Sequence, residues 1–372
     1  VQGNDNIGTY YAWQGLYDYT WANGSEAGAF ASKLENKAIT WEKNGNLNAG
    51  IEASLFGGKL TFSAEYYNRH TRDMLLANPL AISTGFTSYD ANVGSMRNQG
   101  FEFSGRVNII DKPDFRWDAT VMASLNRNKV TSLTSSQDFI SSGASVIEVG
   151  KPIYTFYLSK TAGVDPATGK QLYYAYWKRG VDETGAISNV KCDEYVTDNV
   201  SLASLSKYYM GSREPAVSGS LGSSFTIFKN IDFSFLTTWS IGGKVYDGLY
   251  SGTMNVQYAG NNWHKNVLRR WQKPGDVTDV PMVEIGGSSP ANDSALINAS
   301  YFAFKNITLG YTFPKKWLSK IEVSALRLFV TADNIMMFNH LDGMDPQYNF
   351  TGSVSYSYAP SRAIVAGIDI QF

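Results

Sequence analysis

The sequence predicts an all-β protein, a transmembrane antiparallel up-and-down β-barrel, from three observations. Stretches with a period of two recur along the chain, the connections between them alternate between short and long, and the composition is rich in tyrosine and poor in charge. Residues 361–372 show the pattern best, because one face of that stretch is wholly apolar and the other is mixed. We expect its last residue, Phe372, to lie in the aromatic girdle where lipid meets water and to act as an assembly signal.

The composition excludes several classes of protein. Charged residues make up 17% of the chain and aromatic residues 14%, a profile that membrane β-barrels share with large secreted β-proteins. A net charge of −1 argues against a nucleic-acid-binding protein, which needs a basic surplus. Cys192 is the only cysteine, so neither an intrachain disulfide framework nor a cysteine-rich zinc site is expected. No run of about 18 apolar residues is present, which excludes a helical membrane span.

The sequence predicts twelve strands, and many of them are longer than the strands of soluble sheets. They are residues 8–19, 44–55, 59–72, 98–110, 115–130, 152–164, 171–178, 216–228, 231–242, 300–313, 325–338 and 361–372. The short connections are residues 57–58, 111–114, 165–170, 229–230 and 314–324. Long connections follow Arg72, Val130, Lys178, Gly242 and Phe338. Tight turns at one end and long loops at the other are typical of outer-membrane barrels.

Two soluble alternatives fit less well. A propeller would show a repeat of about 40 to 50 residues, and none is present. A sandwich has no need to place nearly all the excess loop length on one side.

Charged residues recur on one face of the predicted strands. We expect Glu102, Arg106, Asp232, Arg327 and Asp333 to face a wet lumen, because such charges are costly in a dry core. One interpretation is that these charges form a hydrated network along the wall. The alternative is that they contact a transported molecule directly.

A second group of candidate residues consists of aromatic side chains in the long loops. These residues are Tyr258, Trp263, Tyr348, Phe350, Tyr356 and Tyr358. Their rings are suited to stacking on a sugar or packing against a peptide, and equally to packing the loops together or meeting a protein lid.

Enzymatic residues are not recognisable. His70, His264 and His340 each stand alone, without the partners that metal binding or acid–base catalysis needs. Neither a G-x-S-x-G elbow nor a phosphate-binding G-x-x-x-x-G-K-[ST] loop occurs. Residues 165–169 and 342–345 resemble calcium loops only faintly, and we interpret both as turns. We therefore expect no enzyme, no metal and no cofactor.

Several segments resemble the carboxy-terminal half of SusC/RagA-type TonB-dependent transporters of Bacteroidota outer membranes. They include ITWEKNGNLNAGIEASLFGGKLTFSAEYYNRHTRDML (39–75), STGFTSYDANVGSMRNQGFEFS (83–104) and AGVDPATGKQLYY (162–174). RRWQKPGDVTDVPM (269–282), SYFAFKNITLGYTFPKKWL (300–318) and LRLFVTADNIMMF (326–338) continue the series in the family's order. Together they cover most of residues 39–372.

The resemblance implies active import of a large nutrient, an oligosaccharide or an oligopeptide. Family members look like barrels of about 22 strands closed by an amino-terminal plug. A SusD-like surface lipoprotein caps them, TonB acts on the plug, and a dimer of such pairs is conceivable. The chain lacks a plug, a TonB-contact segment, about half the strands and a signal sequence, so we expect residues 1–372 to be part of a barrel domain. A passive porin or adhesin barrel is the alternative, and the sequence does not distinguish glycan from peptide cargo.

Overall fold

A computed structural model describes residues 2–4, 11–134, 139–257, 260–318, 322–341, 343–347, 351–354 and 358–372. Its main feature is a ten-stranded antiparallel sheet in which every strand pairs with its neighbours in chain order. The strands are β1 (Gln2–Asn4), β2 (Glu42–Leu55), β3 (Leu60–Arg72), β4 (Ser95–Lys112), β5 (Phe115–Ser132), β6 (Val217–Ile227), β7 (Ile231–Ile241), β8 (Tyr301–Thr312), β9 (Ala325–Asn339) and β10 (Ala363–Gln371). The order is that of an up-and-down wall, as the sequence predicts.

The two faces of the wall differ in polarity. One face carries a row of apolar residues that are exposed on the wall, such as Ile51 (64% exposed), Phe103 (44%) and Ile368 (63%). Because side chains alternate along a strand, the polar residues occupy the opposite face. An apolar face left open over the whole width of a sheet is what a bilayer requires of a barrel wall.

Short turns join the strands at one end of the wall. β2 and β3 are joined through Gly57 and Gly58, whose φ angles of 66° and 87° are easily reached only without a Cβ atom. β6 and β7 are joined by residues 228–230, where Phe228 donates its backbone N–H to the Asp114 carbonyl 2.8 Å away in the next turn. The last short connection includes the helix Lys315–Leu318.

The opposite end carries small sheets and short helices within the long connections. The strands there are Leu16–Asp18, Ala22–Asn23, Glu26–Ala27, Phe30–Lys33, Leu75–Pro79, Ser88–Asn92, Phe139–Ser142, Ser145–Glu148, Thr155–Ser159, Thr161–Val164, Gln171–Val181, Ile187–Thr197, Lys207–Ser212, Lys244–Asp247, Leu296–Asn298 and Ser353–Val354. The helical segments are Ile82–Thr84, Val200–Leu205, Gly248–Thr253, Lys265–Arg269 and Asp293–Ala295. Among the described residues, no helix is long and apolar enough to cross a membrane.

The buried apolar clusters lie in this loop layer and not in the wall. One of them joins Val245, Ala299 and Met344, and another joins Phe156, Leu158 and Tyr246. Segments that are far apart in sequence therefore share a core above the wall, which fixes the loops relative to one another.

Two motifs that the sequence presents separately form one unit in this layer. The Trp271 indole donates to the Pro166 carbonyl at 2.9 Å, and its ring lies over Gly169. A Cβ atom on Gly169 would fall 2.4 Å from that ring, so the turn at 165–170 requires glycine there. The segment around Trp271 is thus docked on the turn.

The predicted fold class is confirmed, but three of the twelve predicted strands are not in the wall. Residues 152–164 and 171–178 form strands of small sheets in the loop layer, so the turn at 165–170 is not a short turn of the barrel. The described part of 8–19 holds only Leu16–Asp18, which pairs with Phe30–Lys33. Local alternation identifies a strand, whereas its partners decide which sheet it joins.

Candidate binding site at the loop end of the sheet

Strand register places the five predicted wall residues on one face. Opposed residues in antiparallel strands share a face, so faces can be followed from strand to strand. The row that starts at Arg106 runs through Thr120, Gly222, Leu236 and Asn306 to Asp333. Glu102 lies four residues before Arg106, Asp232 four before Leu236, and Arg327 six before Asp333, all even offsets. Their role as lumen contacts stays a prediction.

One ion cluster on this face crosses strand β8 near the short-turn end. Arg327 donates Nε and Nη2 to the two carboxylate oxygens of Asp232 at 3.0 and 2.6 Å, a bidentate pair. Arg327 also reaches Asp369 on β10 at 3.4 Å. Gly310 lies between the partners, and a Cβ atom there would fall 2.4 Å from an Asp232 oxygen. The cluster links four strands because the intervening residue has no side chain.

A second cluster on the face is centred on Asp118. Its carboxylate accepts from Arg116 at 2.9 Å and lies 3.5 Å from Arg106. Both arginines are about half exposed, so this pairing contributes little to stability. It keeps the short-turn end of the face polar and hydrated.

At the other end of the face, where the wall meets the loop layer, lies a cavity of 530 Å³. Its lining comes from the loop ends of β4 to β8 and from three loop segments: Met96, Asn98, Asn126, Asn128, Pro152, Ile153, Tyr154, Ser212, Arg213, Glu214, Pro215, Ser218, Ser240, Tyr301 and Gln347. Ligand pockets typically combine apolar and aromatic groups with a few precisely placed polar groups, and this lining contains both.

The cavity is organised around the Glu214 carboxylate. Its Oε1 atom accepts hydrogen bonds from the Asn128 backbone N–H at 2.7 Å and from the Asn126 side-chain amide at 2.8 Å. Asn128 in turn donates to Asn98 at 2.8 Å and accepts from the Ile153 N–H at 2.8 Å. Among the residues the structure describes, no hydrogen bond reaches the other carboxylate oxygen, Oε2. The network therefore fixes the carboxylate and leaves one oxygen for a ligand.

Tyr67 supports this network from two strands away. Its hydroxyl donates to the Asn126 amide oxygen at 2.7 Å, across β4. The residue between them on β4 is Gly100, which is opposite both Tyr67 and Asn126. A Cβ atom on Gly100 would lie 2.7 Å from the Tyr67 hydroxyl and 2.0 Å from the Leu125 carbonyl oxygen. Glycine therefore lets the tyrosine lie flat over the strand.

Burial shifts the pKa values of two neighbouring charged residues of the cavity, Glu214 and Arg213. It raises the pKa of Glu214, while the hydrogen bond from Asn128 and the charge of Arg127 oppose the rise. Burial lowers the pKa of Arg213, whose guanidinium donates to the Pro346 carbonyl at 2.5 Å. A half-buried carboxylate of this kind interacts strongly with a hydrogen-bond donor or a cation.

The predicted loop aromatics are only partly described. Trp263 is 38% exposed in the connection between β7 and β8, and Tyr358 is 97% exposed between β9 and β10. Neither lines the cavity. Tyr258, Tyr348, Phe350 and Tyr356 lie outside the described residues. Phe372 is the exposed residue after β10, and its assembly role stays a prediction.

Sequence reasoning missed the residues that build the cavity. Glu214 is 88 residues from Asn126 in sequence, so no local pattern connects them. The one available signal is the asparagine alternation Asn126-Arg127-Asn128 at the end of a predicted strand. Within the described ranges, no cluster of three or more histidine, cysteine, aspartate or glutamate residues has metal-binding geometry.

Known proteins resemble this chain over nearly all of its length. The model of the family described as TonB dependent receptor-like, beta-barrel matches residues 5–335. The TonB-dependent receptor SusC of Bacteroides thetaiotaomicron is 28% identical over 100% of this chain and 37% of its own length. The TonB-dependent receptor P39 of Formosa agariphila is 26% identical over 100% of the chain and 39% of its own length.

A solved structure agrees with the sequence relatives. The RagAB peptide transporter matches with a TM-score of 0.81 at 27% identity, over 100% of this chain and 40% of that chain. The resemblance to SusC/RagA-type transporters is thereby confirmed, and the chain spans well under half the length of these relatives. The chain belongs to the TonB dependent receptor-like, beta-barrel family, whose members are β-barrels of the bacterial outer membrane.

Proposed function

We propose that the chain is the carboxy-terminal part of a TonB-dependent importer of a large, hydrophilic nutrient. The cargo is an oligosaccharide or an oligopeptide, and a SusD-like surface lipoprotein closes the loop end. Residues 1–372 supply barrel wall and loops, while the remaining strands and the plug on which TonB acts belong to the rest of the protein. In this proposal the chain carries no enzymatic step.

The cavity around Glu214 is the observation that carries the proposal. It lies where the polar face meets the loop layer, so a molecule entering from the loop end meets it before it reaches the polar wall. Three asparagines and one carboxylate are held by mutual hydrogen bonds before any ligand arrives. Preorganised polar groups bind a hydrophilic ligand without first losing side-chain entropy.

The test is uptake by cells that produce the full-length protein. A labelled oligosaccharide or oligopeptide that supports growth is followed with and without a functional TonB, and uptake should be lost without it. Uptake that persists in TonB-deficient cells would indicate a passive porin and contradict the proposal.

A variant links uptake to the cavity. Glu214→Gln keeps the shape but removes the charge, and we expect at least about a tenfold weaker cargo affinity, or about 1.4 kcal/mol. Glu183→Gln, in an exposed turn of the loop layer, is the matched control. Equal cargo affinity in the two variants would show that the cargo does not depend on Glu214 for binding, and would contradict the assignment of the site.

A further inference from the structure

A second candidate site lies in the loop layer, on the small sheets between β5 and β6. Aromatic rings and lysine side chains alternate there on adjoining surfaces. We call this surface the tyrosine–lysine band and define it by Tyr157, Tyr174, Tyr176, Tyr208, Tyr209, Lys151, Lys160 and Lys207.

The rings of the band contact one another. Tyr157 and Tyr209 have centroids 4.8 Å apart with planes inclined by 32°, and they are opposite each other in register. Tyr176 packs edge-on against Tyr208 at 5.4 Å. The Tyr176 hydroxyl donates to the Lys207 carbonyl at 2.8 Å, which attaches the second ring pair to the strand that carries Tyr208 and Tyr209. Tyr208 and Tyr209 are consecutive on one strand and lie on its opposite faces, so the two ring pairs adjoin along that strand.

Each lysine places its ammonium group over a ring. Lys151 lies 3.8 Å from the Tyr209 centroid and Lys207 lies 5.9 Å from the Tyr157 centroid. Lys160 lies 4.2 Å from the Tyr174 centroid, close enough for a cation–π contact. Within the described part of the chain, none of the three ammonium groups forms an ion pair with a carboxylate. A ring occupies only one side of an ammonium group, so donors remain for an anion.

Backbone hydrogen bonds hold these lysines in place. The Lys151 carbonyl accepts from the Val130 N–H at 2.9 Å, which attaches it to the end of β5. The Lys160 carbonyl accepts from the Tyr174 N–H at 2.9 Å. The Lys207 carbonyl accepts from the Tyr176 hydroxyl at 2.8 Å. These bonds fix the backbone from which each lysine side chain extends.

We propose that the tyrosine–lysine band binds an acidic oligosaccharide, with its acid groups on the lysines and its sugar rings on the tyrosines. An aromatic face covers the flat apolar side of a sugar ring, and an ammonium group pairs with a carboxylate or a sulfate. A neutral sugar would use the rings alone. The inference rests on the proposed import function and narrows its cargo.

The band carries three lysines beside the carboxylate of Glu148, which accepts a hydrogen bond from the Tyr209 hydroxyl, whereas the cavity is centred on a carboxylate. Glu214 presents a carboxylate oxygen to the cavity, which disfavours an anion there. The next three residues after Lys151, Pro152, Ile153 and Tyr154, line the cavity, so the two surfaces adjoin. An acidic chain held by the band would present its hydroxyl groups, and not its acid groups, to the cavity.

The test compares charged and neutral forms of one ligand on the purified full-length protein. Binding of a galacturonic acid tetramer and of its fully methyl-esterified form is measured by calorimetry, because esterification removes the charge and keeps the rings. We expect the acid to bind at least tenfold more tightly than the ester, and the preference to weaken as salt is added.

Variants assign the preference to the band. The triple variant K151Q/K160Q/K207Q should bring acid and ester to within about twofold of each other. The triple variant K170Q/K178Q/K273Q removes the same charge from exposed lysines outside the band and should keep the preference. An unchanged preference in the first variant, or none in the wild type, would overturn the assignment.

Two further outcomes separate the proposals. Tighter binding of tetraglutamate than of the acidic saccharide would replace the saccharide with an acidic peptide and overturn the inference. Binding on the purified protein does not depend on TonB, so an acid preference without TonB-dependent uptake would overturn import and leave the band intact.

Discussion

Replacing Gly100 with alanine tests the reasoning about the wall beneath the cavity. The new Cβ atom would lie 2.0 Å from the Leu125 carbonyl oxygen and 2.7 Å from the Tyr67 hydroxyl. The carbonyl belongs to the backbone of β5, so it cannot move without disturbing the strand pairing. Tyr67 would have to swing away from the strand, which breaks its hydrogen bond to Asn126.

The expected loss of stability combines two contributions. The hydrogen bond contributes about 1 kcal/mol, and the forced shift of packed groups costs about 1–3 kcal/mol. Gly100→Ala should therefore lower the free energy of unfolding by about 2–4 kcal/mol. Tyr67→Phe removes the hydrogen bond alone, so it should cost about 1 kcal/mol.

The measurement is urea unfolding of the full-length protein in lipid vesicles, followed by tryptophan fluorescence. Gly222→Ala is the control, because it lies on the same face and its Cβ atom would meet nothing closer than 3.8 Å. That variant should stay within about 0.5 kcal/mol of the wild type. A Gly100→Ala protein as stable as the control would refute the argument that Tyr67 requires a residue without a side chain at position 100.

Three further predictions follow from the same contacts. Gly310→Ala places a Cβ atom 2.4 Å from Asp232 and separates the ion pair that crosses β8, which should cost about 1 kcal/mol in urea unfolding because the pair is partly exposed. An unfolding midpoint equal to the wild type would contradict this. Burial raises the pKa of Glu214 above its unfolded value of 4.5, so protonation favours the folded state. The wild type should therefore gain stability relative to Glu214→Gln as the pH falls through the raised pKa, and parallel urea curves for the two proteins between pH 4 and 8 would exclude the effect. Trp271→Ala should release the turn at 165–170 and speed its amide hydrogen exchange, while exchange in the wall stays unchanged.

The wall strands could be predicted because their information is local. A strand with one face in lipid and one in water must alternate, and β10 keeps one face wholly apolar while β6 and β7 alternate at most positions. The Gly57-Gly58 turn is local as well, since its geometry calls for residues without a side chain. Period and turn chemistry were therefore sufficient for the fold class.

Sheet membership and the cavity could not be predicted, because both depend on contacts distant in sequence. Residues 171–178 alternate as wall strands do, yet they lie within the strand Gln171–Val181, which pairs with Thr161–Val164 and Ile187–Thr197 in the loop layer. Glu214 acquires its role only from Asn126 and Asn128, which a different strand supplies. Its own neighbours in sequence, Arg213 and Pro215, give no indication of that partnership.

The loop segment between β5 and β6 has a consequence for how such proteins diversify. It departs from the wall at Ser132 and returns at Val217 on the adjacent strand, and it carries its own small sheets. Because the segment connects two adjacent strands of the wall, its length and content can change without altering any pairing in the wall. This segment can therefore be replaced during evolution without changing the strand register of the wall. The residues available for ligand binding then change, while the barrel wall is kept.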